Sequence, residues 1–189
     1  MIFRRTIVAA FVLVASMLGP AVRADDREKI KIGEFIPAAA PQPAPEISVA
    51  DLAGNSVSLA DFKGKFVILN LWATWCEPCL KEMPSLAALQ ARLGPALTVL
   101  AVSEDRGGAG VVQPFVDRLG LDKFLKIYLD PKSTAIHAFG ARGLPTSFAI
   151  DADGRVLGTV EGGADWDADA MRATLAGLMP PPGDAAKPR

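Results

Sequence analysis

Cys76-Glu77-Pro78-Cys79 contains the only two cysteines of a 189-residue chain. With no other thiol present, any disulfide within one chain must join this pair. Two thiols one helical turn apart can serve reversible redox exchange, clip a metal ion or form a structural staple. Loop size disfavours the staple: in the chain-entropy account a loop of about four residues yields roughly 2 kcal/mol, against about 3 for a loop of about fifteen. Residues three apart on a helix have Cβ atoms about 5–6 Å apart, within a modest adjustment of disulfide geometry. The bond can then open and close without refolding its surroundings, which favours redox use.

The flanking sequence supplies the elements that would position these thiols. Phe66-Val-Ile-Leu-Asn-Leu-Trp72 is an apolar run of strand length, suited to a central strand covered on both faces. Leu80 to Leu93 carries its apolar residues as an amphipathic helix does. Cys76 therefore falls at a helix start, where unpaired N–H groups and the positive dipole end favour thiolate, making it the expected attacking sulfur. Cys79, one turn deeper, is the expected resolving thiol. Pro78 fits a first turn, whereas Pro84 falls inside the helix and predicts a kink. Glu82 shares a helix face with Cys79. Spacing alone leaves it open between a buried acid that exchanges a proton with Cys79 and a solvated glutamate beside Lys81.

Farther along, Gly143-Leu144-Pro145-Thr146 precedes an apolar stretch, Ser147 to Ile150. Asp151-Ala-Asp-Gly154 and a second apolar run, Val156 to Val160, follow. That pattern predicts two strands joined by a tight turn. By itself Leu-Pro carries little information, since trans is the default even before proline.

The segments NLWATWCEPCLKEMPSL and GARGLPTSFAIDADG, with the lead-in Leu52 to Lys65, resemble the thioredoxin superfamily, specifically its TlpA/ResA-like thiol-disulfide oxidoreductases. The resemblance runs from about Glu46 to Leu178. It implies that Cys76 is the exposed nucleophile, Cys79 the resolving cysteine, and Pro145 a cis-proline whose loop faces the disulfide and binds extended substrate backbone. Glu82 matches the acidic residue of the CxxC-x-x-E pattern in this branch. Trp75, Glu77, Pro78 and Leu144 are the implied substrate-binding neighbours. Asn70 departs from cytoplasmic thioredoxins, which carry a buried aspartate at that strand position, so proton transfer would rely on Glu82 or water.

The expected fold class is α/β: a thioredoxin fold with a mixed central sheet flanked by helices, an added N-terminal β-hairpin and a central insertion. The hairpin spans Ile47 to Asp51 and Ser56 to Leu59. After the central strand and active-site helix come a strand Leu97 to Ser103, a helix near Val111 to Leu119, a short strand Ile127 to Leu129 and a helix around Ser133 to Phe139. The hairpin Ser147 to Val160 and a helix Trp166 to Leu178 close the order. Helices between the early strands and a late hairpin require such a mixed sheet.

A composition of 50% apolar and 22% charged residues is ordinary for one globular domain. Residues 1–24, with Arg4-Arg5, an apolar stretch from Ile7 to Leu18, and Val22-Arg23-Ala24, read as a signal peptide or an uncleaved membrane anchor. Residues 25–45, with Pro37, Pro41, Pro43 and Pro45, read as a Pro/Ala-rich extended tether; residues 46–179 form the thioredoxin-like domain and 180–189 a flexible tail. Loss of Arg4, Arg5 and Arg23 with the leader takes the formal charge from −1 to −4, with 17 basic residues against 21 acidic ones. Nucleic acid is therefore excluded as an expected partner.

Two functions from different classes fit. In the first, the protein is an enzyme of the bacterial periplasm or the extracytoplasmic membrane face, reducing client disulfides without an organic cofactor. The resemblance implies a membrane electron donor of the DsbD or CcdA type, and clients of the kind met in cytochrome c maturation or copper-site assembly. The same exchange run backwards is a disulfide oxidase. In the second, it is a Sco-like copper-binding chaperone, for which the only histidine, His137, is the remaining ligand candidate. No cysteine or carboxylate stands at ligand spacing from His137, so packing or solvent exposure is its plainer reading, and no metal is expected. Trp72 reads as core and Trp75 as docking surface. Arg106-Gly-Gly-Ala-Gly110 lacks a phosphate-loop lysine and reads as a flexible loop.

Overall fold

The computed structural model describes residues 33–179. The expected leader 1–24, the first part of the tether and the tail 180–189 lie outside the described residues. One eight-stranded sheet organises what is described. Its strands are β1 (Phe35–Pro43), β2 (Ser48–Asp51), β3 (Ser56–Ser58), β4 (Phe66–Trp72), β5 (Leu97–Ser103), β6 (Lys126–Leu129), β7 (Thr146–Ile150) and β8 (Arg155–Glu161). Their spatial order is β1-β8-β7-β4-β5-β6-β2-β3.

The apolar runs take the centre of the sheet, as a doubly covered strand must. Every residue of β4 and of β5 is buried. They pair in parallel, Phe66 opposite Leu97 and Trp72 opposite Ser103, while β7 joins the other side of β4 antiparallel, with Leu71 opposite Thr146. Strand alternation divides the core into two layers. Phe66, Ile68 and Trp72 meet Met83, Leu86 and Leu89 of α1 (Glu77–Leu93), Val112 and Val116 of α2 (Ala109–Leu119), and Met171 and Leu175 of α4 (Asp169–Leu178). Val67, Leu69 and Leu71 face Phe148 and Ala135, the latter on α3 (Thr134–Ala138). Helices thus cover both faces, and the architecture is a thioredoxin fold. The hairpin β2–β3 extends the sheet beyond β6, and α2 with β6 is the central insertion.

Pro84 stands inside α1, which runs through it unbroken. A proline in a helix interior costs about 3 kcal/mol. Burial of Met83, Leu86 and Leu89, each contributing about 1.5–3 kcal/mol, outweighs that cost. The last helix begins at Asp169 rather than at Trp166, and Trp166 is buried in the loop before it.

The tether assignment is corrected over Phe35–Pro43, which forms β1, the sheet edge beside β8. Proline has no N–H to give a ladder but is tolerated on an edge, and its fixed φ is already extended. The register of β1 shifts between Pro37 and Gln42, where the strand passes its prolines. Gly158 makes the pairing possible, because a Cβ there would overlap the Phe35 ring and the Ile36 carbonyl oxygen. Just before β1, the Gly33 N–H donates to the Glu161 carbonyl at 2.8 Å. A Cβ on Gly33, whose φ is +76°, would meet the Gly163 oxygen at 2.7 Å.

Candidate active site

Cys76 is the N-cap residue of α1, and Pro78 occupies its first turn. The two sulfurs are joined, with Cα atoms 5.3 Å apart. The Cys79 amide also donates to the Cys76 sulfur at 3.3 Å. Once the bond opens, that N–H and the helix dipole are placed to favour a Cys76 thiolate. Cys76 is 5% exposed and Cys79 fully buried, so the attacking sulfur is the more accessible but only barely so. The expectation of an exposed nucleophile is corrected to that extent, because capping turns the sulfur into the first helical turn. Glu77 and Pro78 are exposed, and Glu77 is paired with Lys81 at 2.7 Å. That pair holds the Glu77 carboxyl below its ordinary pKa.

The register of β4 with β7 brings the Pro145 loop to this same end of the sheet. The Leu144–Pro145 peptide is cis, Pro145 is buried and Leu144 is half-buried between the two core layers. The loop is tied down on both sides. The Thr146 hydroxyl donates to Gly143 O at 2.7 Å, the Gly162 N–H donates to Pro145 O at 2.9 Å, and Arg142 grips Glu161 at 2.7 Å. Trp75, immediately before Cys76, is 71% exposed and offers an indole face to solvent.

Glu82 is not a solvated glutamate: it is 2% exposed, three residues beyond Cys79 on the same helix face. Asn70 Nδ2 donates to its Oε1 at 2.8 Å. The Ala164 N–H and Trp166 Nε1 each donate to its Oε2 at 3.1 Å. Burial pushes its pKa up, and the three donors offset part of that. Asn70 also donates to Ser147 Oγ at 2.9 Å, while its own Oδ1 is buried without a partner. The acid thus lies one turn along α1 from the buried Cys79, itself buried and held by three N–H donors.

Sequence reasoning missed several residues that hold this arrangement. Ser147, Ala164 and Trp166 lie more than 60 residues from the cysteines, and nothing local marks them. Asp105 had a signal, the Ser103-Glu104-Asp105 run that ends β5. Its carboxylate accepts the Thr74 N–H and hydroxyl and the Ser103 hydroxyl, each at 2.8 Å, which fixes the turn leading into Cys76. Next to it Glu104 is buried, with neither carboxylate oxygen in a well-formed hydrogen bond. Burial, followed by the charge of Asp130, pushes its pKa up to about 7; Ser133 and the Ile136 amide offset part of this.

His137 is exposed on α3, away from the cysteines in the sequence. Among the described residues no three His, Cys, Asp or Glu side chains gather as a metal site.

The arrangement has known counterparts. Residues 40–158 match the AhpC/TSA family. The chain is 38% identical over 138 residues to the thiol-disulfide oxidoreductase ResA of Bacillus anthracis, covering 72% of this chain and 73% of that protein. Among solved structures, a thiol:disulfide interchange protein of the thioredoxin family from Chlorobium tepidum is 30% identical with a TM-score of 0.61, covering 75% of this chain and 99% of that one. The pneumococcal exposed lipoprotein thioredoxin Etrx1 is 29% identical with a TM-score of 0.61, covering 70% and 99%.

Proposed function

Because this chain belongs to the AhpC/TSA family and is a thiol-disulfide oxidoreductase of the ResA type, we propose that it reduces the disulfides of client proteins outside the cytoplasm. The observation that carries the chemistry is the Cys76–Cys79 bond at the N-terminus of α1, with Glu82 buried one turn below. In the reduced protein the Cys76 thiolate attacks a client sulfur, forming a mixed disulfide and releasing one client thiolate, which takes a proton from solvent. Glu82 accepts the Cys79 proton. The Cys79 thiolate then attacks Cys76, the Cys76–Cys79 bond forms, and the second client sulfur leaves as thiolate. Two electrons pass from protein to client, and two must return from a donor dithiol, which becomes a disulfide. The exposed Trp75, with Glu77, Pro78, Leu144 and Pro145, forms the rim against which client backbone docks.

The leader pattern of residues 1–24 supports placement in the periplasm or on the outer face of the membrane, and likeness to an exposed lipoprotein agrees with it. A donor there is a membrane thiol carrier of the DsbD or CcdA type, and the clients are cysteines awaiting haem or copper. The test is the reduction potential of the Cys76/Cys79 pair in the chain starting at Asp25, equilibrated against glutathione buffers. A value near about −270 mV makes the protein a reductant, whereas one near about −120 mV makes it an oxidase.

A further inference from the structure

Glu82 is held by a segment far from it in sequence, and the attachment has two points on a single turn of α1. Trp166 is 1% exposed, and its indole N–H donates to Glu82 Oε2. Its backbone N–H donates to Ser85 Oγ at 3.1 Å, and the Ser85 hydroxyl donates to the Glu82 carbonyl at 2.8 Å. One residue therefore grips both the side chain of Glu82 and, through Ser85, its backbone. The neighbours of Trp166 are fixed as well. The Ala164 N–H donates to the same Oε2, and Asp167 is paired with Arg92 of α1 and with Arg172 of α4. On the other side a Cβ on Gly163 would meet the Pro78 oxygen at 3.2 Å, so the segment also lies against one of the two residues between the cysteines.

We propose that Trp166 is a positioning residue for thiol exchange: with the Ala164 amide, its indole N–H holds Glu82 Oε2 beneath Cys79 and sets how readily Glu82 takes the Cys79 proton. This rests on the reading of Glu82 as the proton partner of Cys79. An indole N–H stabilises the carboxylate more than the neutral acid, so its loss makes Glu82 retain its proton to higher pH. Among the described residues no charge acts on Glu82 to compete with this effect. Asn70 and Ser147, from β4 and β7, are neutral, Asp165 is exposed, Asp167 is engaged by its arginines, and Lys81 is paired with Glu77 at the surface.

The experiment follows two titrations in the purified protein and in Trp166→Phe. The first is the carboxyl carbon resonance of Glu82 in the oxidised state, where no thiol contributes. The second is the pH profile of mixed-disulfide resolution with oxidised glutathione as the probe. The expected result is that the Glu82 midpoint and the acidic limb of the rate profile both rise by about one pH unit, the worth of one hydrogen bond to a charged group. Below both midpoints the rate then falls about tenfold. A uniformly slower enzyme with an unmoved midpoint would reduce Trp166 to a packing residue and overturn the proposal. Should the phenylalanine variant not fold, benzothienylalanine at position 166 keeps the shape of the indole, lacks its N–H and must show the same shifts. Glu82→Gln separates the two readings: if it keeps the wild-type acidic limb, Glu82 is not the proton partner and that premise fails, whatever Trp166 does.

Discussion

Asp105 holds Thr74 at two points, accepting its backbone N–H and its hydroxyl at 2.8 Å each, although the two residues are 31 positions apart. The end of β5 thus fixes the turn that delivers Cys76 to the start of α1. In Asp105→Ala, Thr74 and Ser103 lose buried acceptors, at an expected cost of about 1–3 kcal/mol in urea unfolding of the oxidised protein. A loosened Cys76 should also attack more slowly, read as the rate of mixed-disulfide formation with a small disulfide. An unchanged attack rate would confine Asp105 to stability.

Replacing Glu82 by glutamine keeps the volume but removes the carboxylate that would take the Cys79 proton. The expected outcome is slower resolution of the mixed disulfide by about 10²- to 10⁴-fold, with the first attack by Cys76 little affected. Trapping the mixed disulfide by acid quench and weighing it by mass spectrometry separates the two steps.

Glu104 makes stability depend on pH. Its pKa rises from 4.5 to about 7 on folding, so the folded state binds its proton more tightly. The resulting stability is fully present below the unfolded value and is lost as pH climbs through about 7, where a buried anion forms beside Asp130. Glu104→Gln cannot ionise. Its melting temperature should exceed that of the parent protein at pH above this range and vary less with pH across it. Parallel curves for the two proteins would rule out Glu104 as the source.

The edge strand gives a fourth test. Gly158→Ala places a methyl group against the Phe35 ring and the Ile36 carbonyl, an overpacking expected to cost about 1–3 kcal/mol. The loss should be local. Hydrogen exchange should show lost protection for Ile36 and its neighbours along β1, with β4 and β5 unaffected.

What could be read from the sequence was what is written locally. The apolar run Phe66–Trp72 suits a doubly covered strand, and the Cys-Glu-Pro-Cys spacing, followed by helical periodicity, puts the cysteines at a helix start. Leu144-Pro145 was legible only through family resemblance, since the dipeptide alone says little. β1 was misread because proline-rich chain is extended both as a spacer and as an edge strand, and only the partner, with its Gly158, tells them apart. The surroundings of Glu82 were invisible for another reason. Its donors come from Asn70, Ala164 and Trp166, on three different segments, and no periodicity encodes their convergence. Spacing could bring Glu82 and Cys79 to one helix face but could not say that the face was dry.

Gly33 lies against Gly163, which in turn lies against Pro78, so the polypeptide joins the domain at the pole where the thiols are. Thioredoxin-like domains have a working end and a blunt end, and here the handle is fitted to the working end. A leader that stays attached would hold the protein face down, with the disulfide turned toward the surface that holds it. The starts of β4 and β5, at the opposite pole, would point away. A donor embedded in that surface would be met without the domain turning over, whereas a free client would have to enter the gap beneath.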